Sequence, residues 1–163
     1  MSRRGLLLAG CAGLLVLAGC ASPGGAAGSG ATTEAWNGRL SLRVEGDSQG
    51  FSALFELRGA PRAGELILTS PIGSTLAQLH WAPGEAVLRN GKETRRYDSV
   101  DALIEAATGA AIPVGALFAW LAGRDERVPG WRPDLSQVGA GRLQATRESP
   151  APRADLRIVF ERA

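Results

Sequence analysis

The chain has 163 residues, with 18 Lys and Arg against 16 Asp and Glu, one histidine and two cysteines. That length suits one domain with one core. The near balance of charge argues against a nucleic-acid binder, which carries a basic face, and two cysteines build no disulfide framework.

The chain opens MSRRGLLLAGCAGLLVLAGC. Arg3 and Arg4 supply a positive start. Residues 6–17 form an apolar run, too short to span a bilayer comfortably and long enough for a secretory signal. The run ends in Leu17-Ala18-Gly19-Cys20, which resembles the lipobox of bacterial lipoproteins. That resemblance implies a diacylglyceryl group on the Cys20 sulfur, cleavage just before it, and usually a third acyl chain on its amine. Leu8-Ala9-Gly10-Cys11 fits the same pattern. Only Met1 to Leu7 would precede that box, leaving almost no apolar run, so Cys20 is the predicted site. Residues 1–19 then leave as a signal peptide and take both arginines with them. The mature charges balance, and the sequence pI of about 8.9 is largely an effect of the signal. Cys11 leaves too, so Cys20 has no disulfide partner. Ala21 stands where an aspartate would resemble a signal for inner-membrane retention, and alanine implies export to the outer membrane. Residues 20–35, which include SPGGAAGSGATT, have the composition of a lipid-anchored flexible tether. The domain proper is expected over 36–163.

Period-two alternation follows. In NGRLSLRVEG, Leu40, Leu42 and Val44 share one face, with Arg39, Ser41 and Arg43 on the other. In GFSALFELRG, Phe51, Ala53, Phe55 and Leu57 line one face. These are half-buried antiparallel strands. Residues 65–69, 75–81 and 85–89 are further strand candidates, and Asn90-Gly91 is a hairpin signal. In the turn between the first and second of these candidates, TSPIGSTL, Pro71 and Gly73 are ordinary turn residues and Ile72 is not. From the residues alone, Ile72 either folds back on its own domain or stands in solvent. The period then changes. Asp98 or Ser99 can cap a helix in which Val100, Leu103, Ile104 and Ala107 recur at helical spacing, with Gly109 placed to end it. Pro113 can sit at the first turn of a second helix, where Val114, Leu117, Phe118 and Leu121 repeat that spacing and Gly123 closes it. VPGWRPDL reads as turn-rich and irregular. ADLRIVFER alternates again through Leu156, Ile158 and Phe160. No internal repeat of useful length is present. The fold class is mainly antiparallel β with two short helices. Helices lying on the concave side of a curved sheet leave two outcomes open: a packed core or an apolar cavity.

Several stretches together resemble the LolB family, outer-membrane receptors that take lipoproteins from the periplasmic carrier LolA. They are the lipobox, WNGRLSL at 36–42, ELILTSPIGSTLAQL at 65–79 and TGAAIPVGALFAWLAG at 108–123. The resemblance implies an incomplete, half-open β-barrel with short helices over its open side and an apolar cavity for acyl chains. Candidate lining residues are Leu40, Leu42, Phe51, Phe55, Leu66 and Leu68 from the strands. Leu103, Ile104, Leu117, Phe118 and Leu121 are the candidates from the helices. In the family, the apolar residue after the proline of this turn protrudes and takes part in handing lipoproteins to the membrane, and Ile72 occupies that place. The implied partners are LolA, acylated lipoproteins and outer-membrane lipid. The implied location is the periplasmic face of the outer membrane, as a monomer, without cofactor, metal or nucleic acid. Two departures stand out. The segment before Trp36 is short and rich in glycine and alanine where family members often carry a helix. AGRLQATRESPAPRAD lacks the aromatic-rich strand often seen near this point, which implies a shorter far wall.

An enzyme reading finds little to use. His80 is the one histidine, on the strand face opposite Ala77, Leu79 and Trp81, and reads as solvated. Cys20 is expected to be acylated. Asp98 and Asp101 read as helix-start residues, and Ser74 lacks a G-x-S-x-G context. The reading is a carrier and not a catalyst. The competing class is a lipid-binding or scaffold lipoprotein without transfer activity.

Overall fold

The computed structural model describes residues 33–163 apart from Gln49 and Gly109. The lipobox, Cys20, most of the tether and the helix stop expected at Gly109 therefore lie outside the described residues.

The alternating runs form strands β1 (Glu34–Val44), β2 (Phe51–Ala60), β3 (Ala63–Thr69), β4 (Thr75–Ala82) and β5 (Glu85–Asn90). β6 (Glu93–Tyr97) completes the hairpin, and helices α1 (Val100–Thr108) and α2 (Val114–Leu121) follow. β7 (Trp131–Asp134), a 3-10 turn at Val138–Ala140, β8 (Arg142–Arg147) and β9 (Ala154–Arg162) end the chain. The strands make one sheet in the order β6-β5-β4-β3-β2-β1-β9-β8-β7, antiparallel at every pairing. β6 and β7 are the edges, so the sheet is not closed. Both edges are short. β6 is rich in charge and β7 contains Pro133, features that discourage a further strand from pairing.

The first described strand pairs with the last, Trp36 opposite Arg162 and Leu42 opposite Leu156. Gly38 permits the close fit. A Cβ there would fall on the Val159 carbonyl of β9.

Ser99 caps α1, its Oγ accepting the Ala102 N–H at 3.1 Å. Asp101 acts at a distance from its own helix start. Its Oδ1 accepts the Val114 N–H at 2.8 Å and so ties the first turn of α2 to α1. Pro113, extended at φ −64° and ψ 123°, precedes α2. Gly123 then ends it in the left-handed region at φ 76°. The Gly123 N–H donates to the Trp120 carbonyl and the Arg124 N–H to that of Ala119, the two bonds of a Schellman stop.

Three local expectations change. The turn-rich stretch around Trp131 contains β7, because Trp131 is held by pairing with Arg147 and by an indole hydrogen bond to the Ala111 carbonyl at 2.9 Å. A strand does occupy AGRLQATR. It is β8, whose inward residues Leu143, Ala145 and Arg147 carry no aromatic ring. The hairpin turns on Gly91-Lys92, one residue later than expected, since Asn90 pairs with Glu93. The domain boundary also differs slightly: Glu34 and Ala35, assigned to the tether, are already paired in β1.

Candidate functional site

Period-two alternation puts one row of apolar residues from each long strand on the inner face. Two helices lie against that face, and neither is long enough to cover it. At about 1.5 Å per residue α2 spans roughly 12 Å, whereas β1 at about 3.3 Å per residue spans roughly 36 Å. Where helix is absent, the inner face stays partly uncovered. The result is a pocket of about 730 Å³. Its sheet wall includes Leu40, Leu42 and Val44 of β1, Phe51 of β2, Leu66 and Leu68 of β3, and Leu156 and Ile158 of β9. Ala77, Leu79 and Leu88 continue that wall across β4 and β5. Ile104, Ala107, Ile112 and Leu117 face it from the helical side. Asp47, Ser48, Thr75 and Asn90 also border the pocket, from the β1–β2 connection, the start of β4 and the end of β5.

Aromatic rings fill the other end. Phe118 of α2, fully buried, meets Trp36 edge-on at 5.4 Å and Trp81 at 6.3 Å. Such pairs contribute about 0.5–1.5 kcal/mol beyond their buried area. The Trp81 ring lies across Gly64 of β3, where a Cβ would stand 2.5 Å from its Cζ2. Its indole N–H donates to the carbonyls of Ala60 and Pro61, both at 3.2 Å. The Trp36 N–H is buried and finds no hydrogen-bond partner among the described residues. Its ring carries the Arg162 guanidinium 5.8 Å from the centroid. Trp120 packs against Trp131 at 6.0 Å and donates to the Glu126 carbonyl, which fixes the far end of α2 to β7.

The β3–β4 connection is a built turn. The Gly73 N–H donates to the Ser70 carbonyl at 2.9 Å, the Ser70 N–H to the Ser74 carbonyl at 2.8 Å, and the Ser74 N–H to the Ser70 hydroxyl at 3.1 Å. Pro71 and Ile72 are its central residues, and Gly73 takes φ 88°. These bonds hold the backbone and leave the Ile72 side chain 90% exposed. Thr75 and Leu76, just past the turn, border the pocket.

Of the residues singled out in the sequence, Leu40, Leu42, Phe51, Leu66, Leu68, Ile104 and Leu117 border the pocket. Phe55, Leu103, Phe118 and Leu121 do not; they are buried in the packed core. Phe51 and Phe55 share a strand face, yet only Phe51 reaches the pocket, because Phe55 lies nearer the aromatic end. Leu79, Leu88, Leu156 and Ile158 border it without having been singled out. Their alternation was visible, but which strands face them was not. His80 is exposed, with Nε2 3.2 Å from a Glu65 carboxylate oxygen. Asp134 lies away from the pocket. The Ser136 hydroxyl and N–H donate to its carboxylate and hold its pKa below the usual value. Among the described residues no group of three or more His, Cys, Asp or Glu side chains could hold a metal ion.

The domain is thus an unclosed antiparallel sheet with two short helices on its inner face and a pocket walled mainly by aliphatic side chains. The chain belongs to the LolB family, whose model, described as outer membrane lipoprotein LolB, matches residues 34–157. An outer-membrane lipoprotein LolB of Bordetella petrii is 38% identical over 183 aligned residues, covering 96% of this chain and 91% of the relative. The protein of that name in Bordetella parapertussis is 40% identical over 70% of this chain and 60% of its own length. That of Cupriavidus pinatubonensis is 37% identical over 87% of this chain and 70% of its own. Membership makes this an outer-membrane lipoprotein of a transport family, not an enzyme.

Proposed function

We propose that the protein is lipid-modified at Cys20, accepts acylated lipoproteins from the periplasmic carrier LolA and inserts them into the outer membrane from its periplasmic face. In this reading residues 1–19 are the signal, the segment after Cys20 is the tether, and the sheet domain works as a monomer. The observation that carries the reading is the combination of an aliphatic-walled pocket with an isoleucine held in solvent on the turn beside it.

The magnitudes agree with such a role. Each methylene kept from water gains about 0.8 kcal/mol, so long acyl chains do not cross the periplasm free, and carrier and receiver must touch. The pocket volume of about 730 Å³ lies within the range of small-molecule sites, about 300–1,000 Å³. Net direction then needs only a step up in affinity, at about 1.4 kcal/mol per tenfold. Ile72 entering lipid gains roughly 1.5–3 kcal/mol. That is too weak to anchor a protein and suits a reversible contact, with anchoring left to Cys20.

The test is transfer itself. Residues 21–163, mixed with LolA loaded with labelled lipoprotein, should take the label without an energy source. A folded domain that never takes it would refute the reading and favour a scaffold. Mass spectrometry of the membrane-extracted protein should find a mature N-terminus at Cys20 carrying acyl chains; an N-terminus at Ala12 or an unmodified Cys20 would refute the anchor.

A further inference from the structure

The pocket is polar at one end only. The strand register places Ser48 of the β1–β2 connection, Thr75 at the start of β4 and Asn90 at the end of β5 at the same end of the sheet, and all three are exposed. Further in, the wall is aliphatic. Leu79 lies four residues along β4 from Thr75, about 13 Å deeper, and pairs with Leu66 of β3 and Leu88 of β5. The Ser48 and Thr75 hydroxyls and the Asn90 amide have no hydrogen-bond partner among the described residues. Thr108 of α1, which also borders the pocket, is already engaged: its hydroxyl donates to the Ile104 carbonyl at 2.8 Å and accepts the Ala110 N–H at 3.2 Å. Among the described residues no lysine or arginine borders the pocket, and Asp47 is the only charged residue that does.

We propose that this polar end reads the head of the ligand: Ser48, Thr75 and Asn90 hold the uncharged ester or amide carbonyl that begins an acyl chain, and the hydrocarbon tail runs inward to Leu66 and Leu79. The inference rests on the acyl-binding role given to the pocket above, and adds to it a direction and a head-group class. Aliphatic walls attract without direction, so they accept a chain either way round. The carbonyl decides between the two. With the tail inward, it stays at the mouth, where two hydroxyls and an amide can donate to it. With the head inward, it lies among leucines that offer no donor, at the cost of an unpaired buried polar group. An amide linkage also presents an N–H, which the Asn90 side-chain oxygen can accept. A carboxylate or phosphate head gains less, because no cation borders the pocket to offset its charge. Thr75 stands just past the turn that carries Ile72, so a seated chain leaves its head, and whatever is joined to it, at the Ile72 end.

Residues 21–163 serve for the experiment, since they keep every described residue and with them the whole sheet, both helices and the core. Three probes of equal chain length, each with a fluorophore at the tail, are titrated in turn: a methyl ester, a headless alkane, and the free acid at about pH 8, where it is ionised. Each probe is compared with itself across protein variants, so that differences in water solubility cancel. Losing one neutral hydrogen bond corresponds to roughly 2- to 10-fold weaker binding. Ser48→Ala, Thr75→Val and Asn90→Ala combined should therefore weaken the ester about tenfold or more. The alkane and the melting temperature should not change, because all three positions are exposed. Asn90→Lys should strengthen the acid several-fold and not the ester. An ester unaffected by the triple variant would overturn the inference, and so would equal weakening of ester and alkane. Acid binding unchanged by Asn90→Lys would overturn the preference for an uncharged head. A parent that binds none of the three probes would overturn the acyl-pocket reading itself.

Discussion

Replacing Ile72 with glutamate separates a membrane-contacting side chain from a structural one. The side chain is 90% exposed, and the hydrogen bonds of its turn come from Ser70, Gly73 and Ser74. Ile72→Glu therefore removes almost no buried contact, and the change in stability should stay within about 0.5 kcal/mol. The pocket walls are untouched, so acceptance of cargo from the carrier should persist. Insertion should fall. The isoleucine gains roughly 1.5–3 kcal/mol in lipid, and at about 1.4 kcal/mol per tenfold its loss corresponds to a roughly 10- to 100-fold weaker membrane step. A carboxylate at the lipid surface adds a desolvation cost in the same direction. Ile72→Leu should behave as the parent. The assays are a thermal melt, transfer of labelled lipoprotein from carrier to domain, and incorporation of that label into vesicles, each read separately. Insertion at the parental rate would refute the membrane role. A large melting shift with joint loss of acceptance and insertion would mean that the residue holds the fold.

Phe118→Ala acts at the opposite end, where it removes a fully buried ring from between Trp36 and Trp81. It should cost about 3–5 kcal/mol, read as a lower urea midpoint; a change under about 1 kcal/mol would show that the aromatic end can collapse around the gap. Ala77→Phe adds a ring to a half-buried position on the pocket wall. It should reduce binding of a fluorescent fatty acid while leaving the melting temperature near the parental value, and unchanged binding would move the acyl site elsewhere. Ser136→Ala removes the hydroxyl that holds the Asp134 carboxyl below its usual pKa. Because that pKa is lowered by folding, the associated stabilisation is present above the unfolded value and lost as pH falls through the folded one. The variant should raise the Asp134 pKa toward 3.8 in an NMR titration and lessen the loss of stability on acidification.

Much of the fold was legible because its information is local. Alternation marked β1 to β5 and β9, helical spacing marked α1 and α2, and the stop at Gly123 is a matter of one residue's backbone freedom. The family was legible from short motifs in order. β7 and β8 were not. Pro133 and the turn-rich run around Trp131 hide a strand that exists only because β8 is there to pair with it. In β8 the inward series Leu143, Ala145, Arg147 ends in an arginine, whose buried guanidinium is satisfied by the Pro152 carbonyl, a partner across the following loop. The pocket shows the same division. Period two assigns Phe51 and Phe55 to one face, but says nothing about what lies opposite each. α2 with its Trp36 and Trp81 contacts decides that, by filling one end of the inner face and stopping short of the other. Ile72 is the plainest case. The sequence by itself determined that a turn falls there, since proline and glycine restrict the local backbone. Whether its side chain finds a neighbour depends on residues distant in sequence, and only the tertiary structure decided that none covers it.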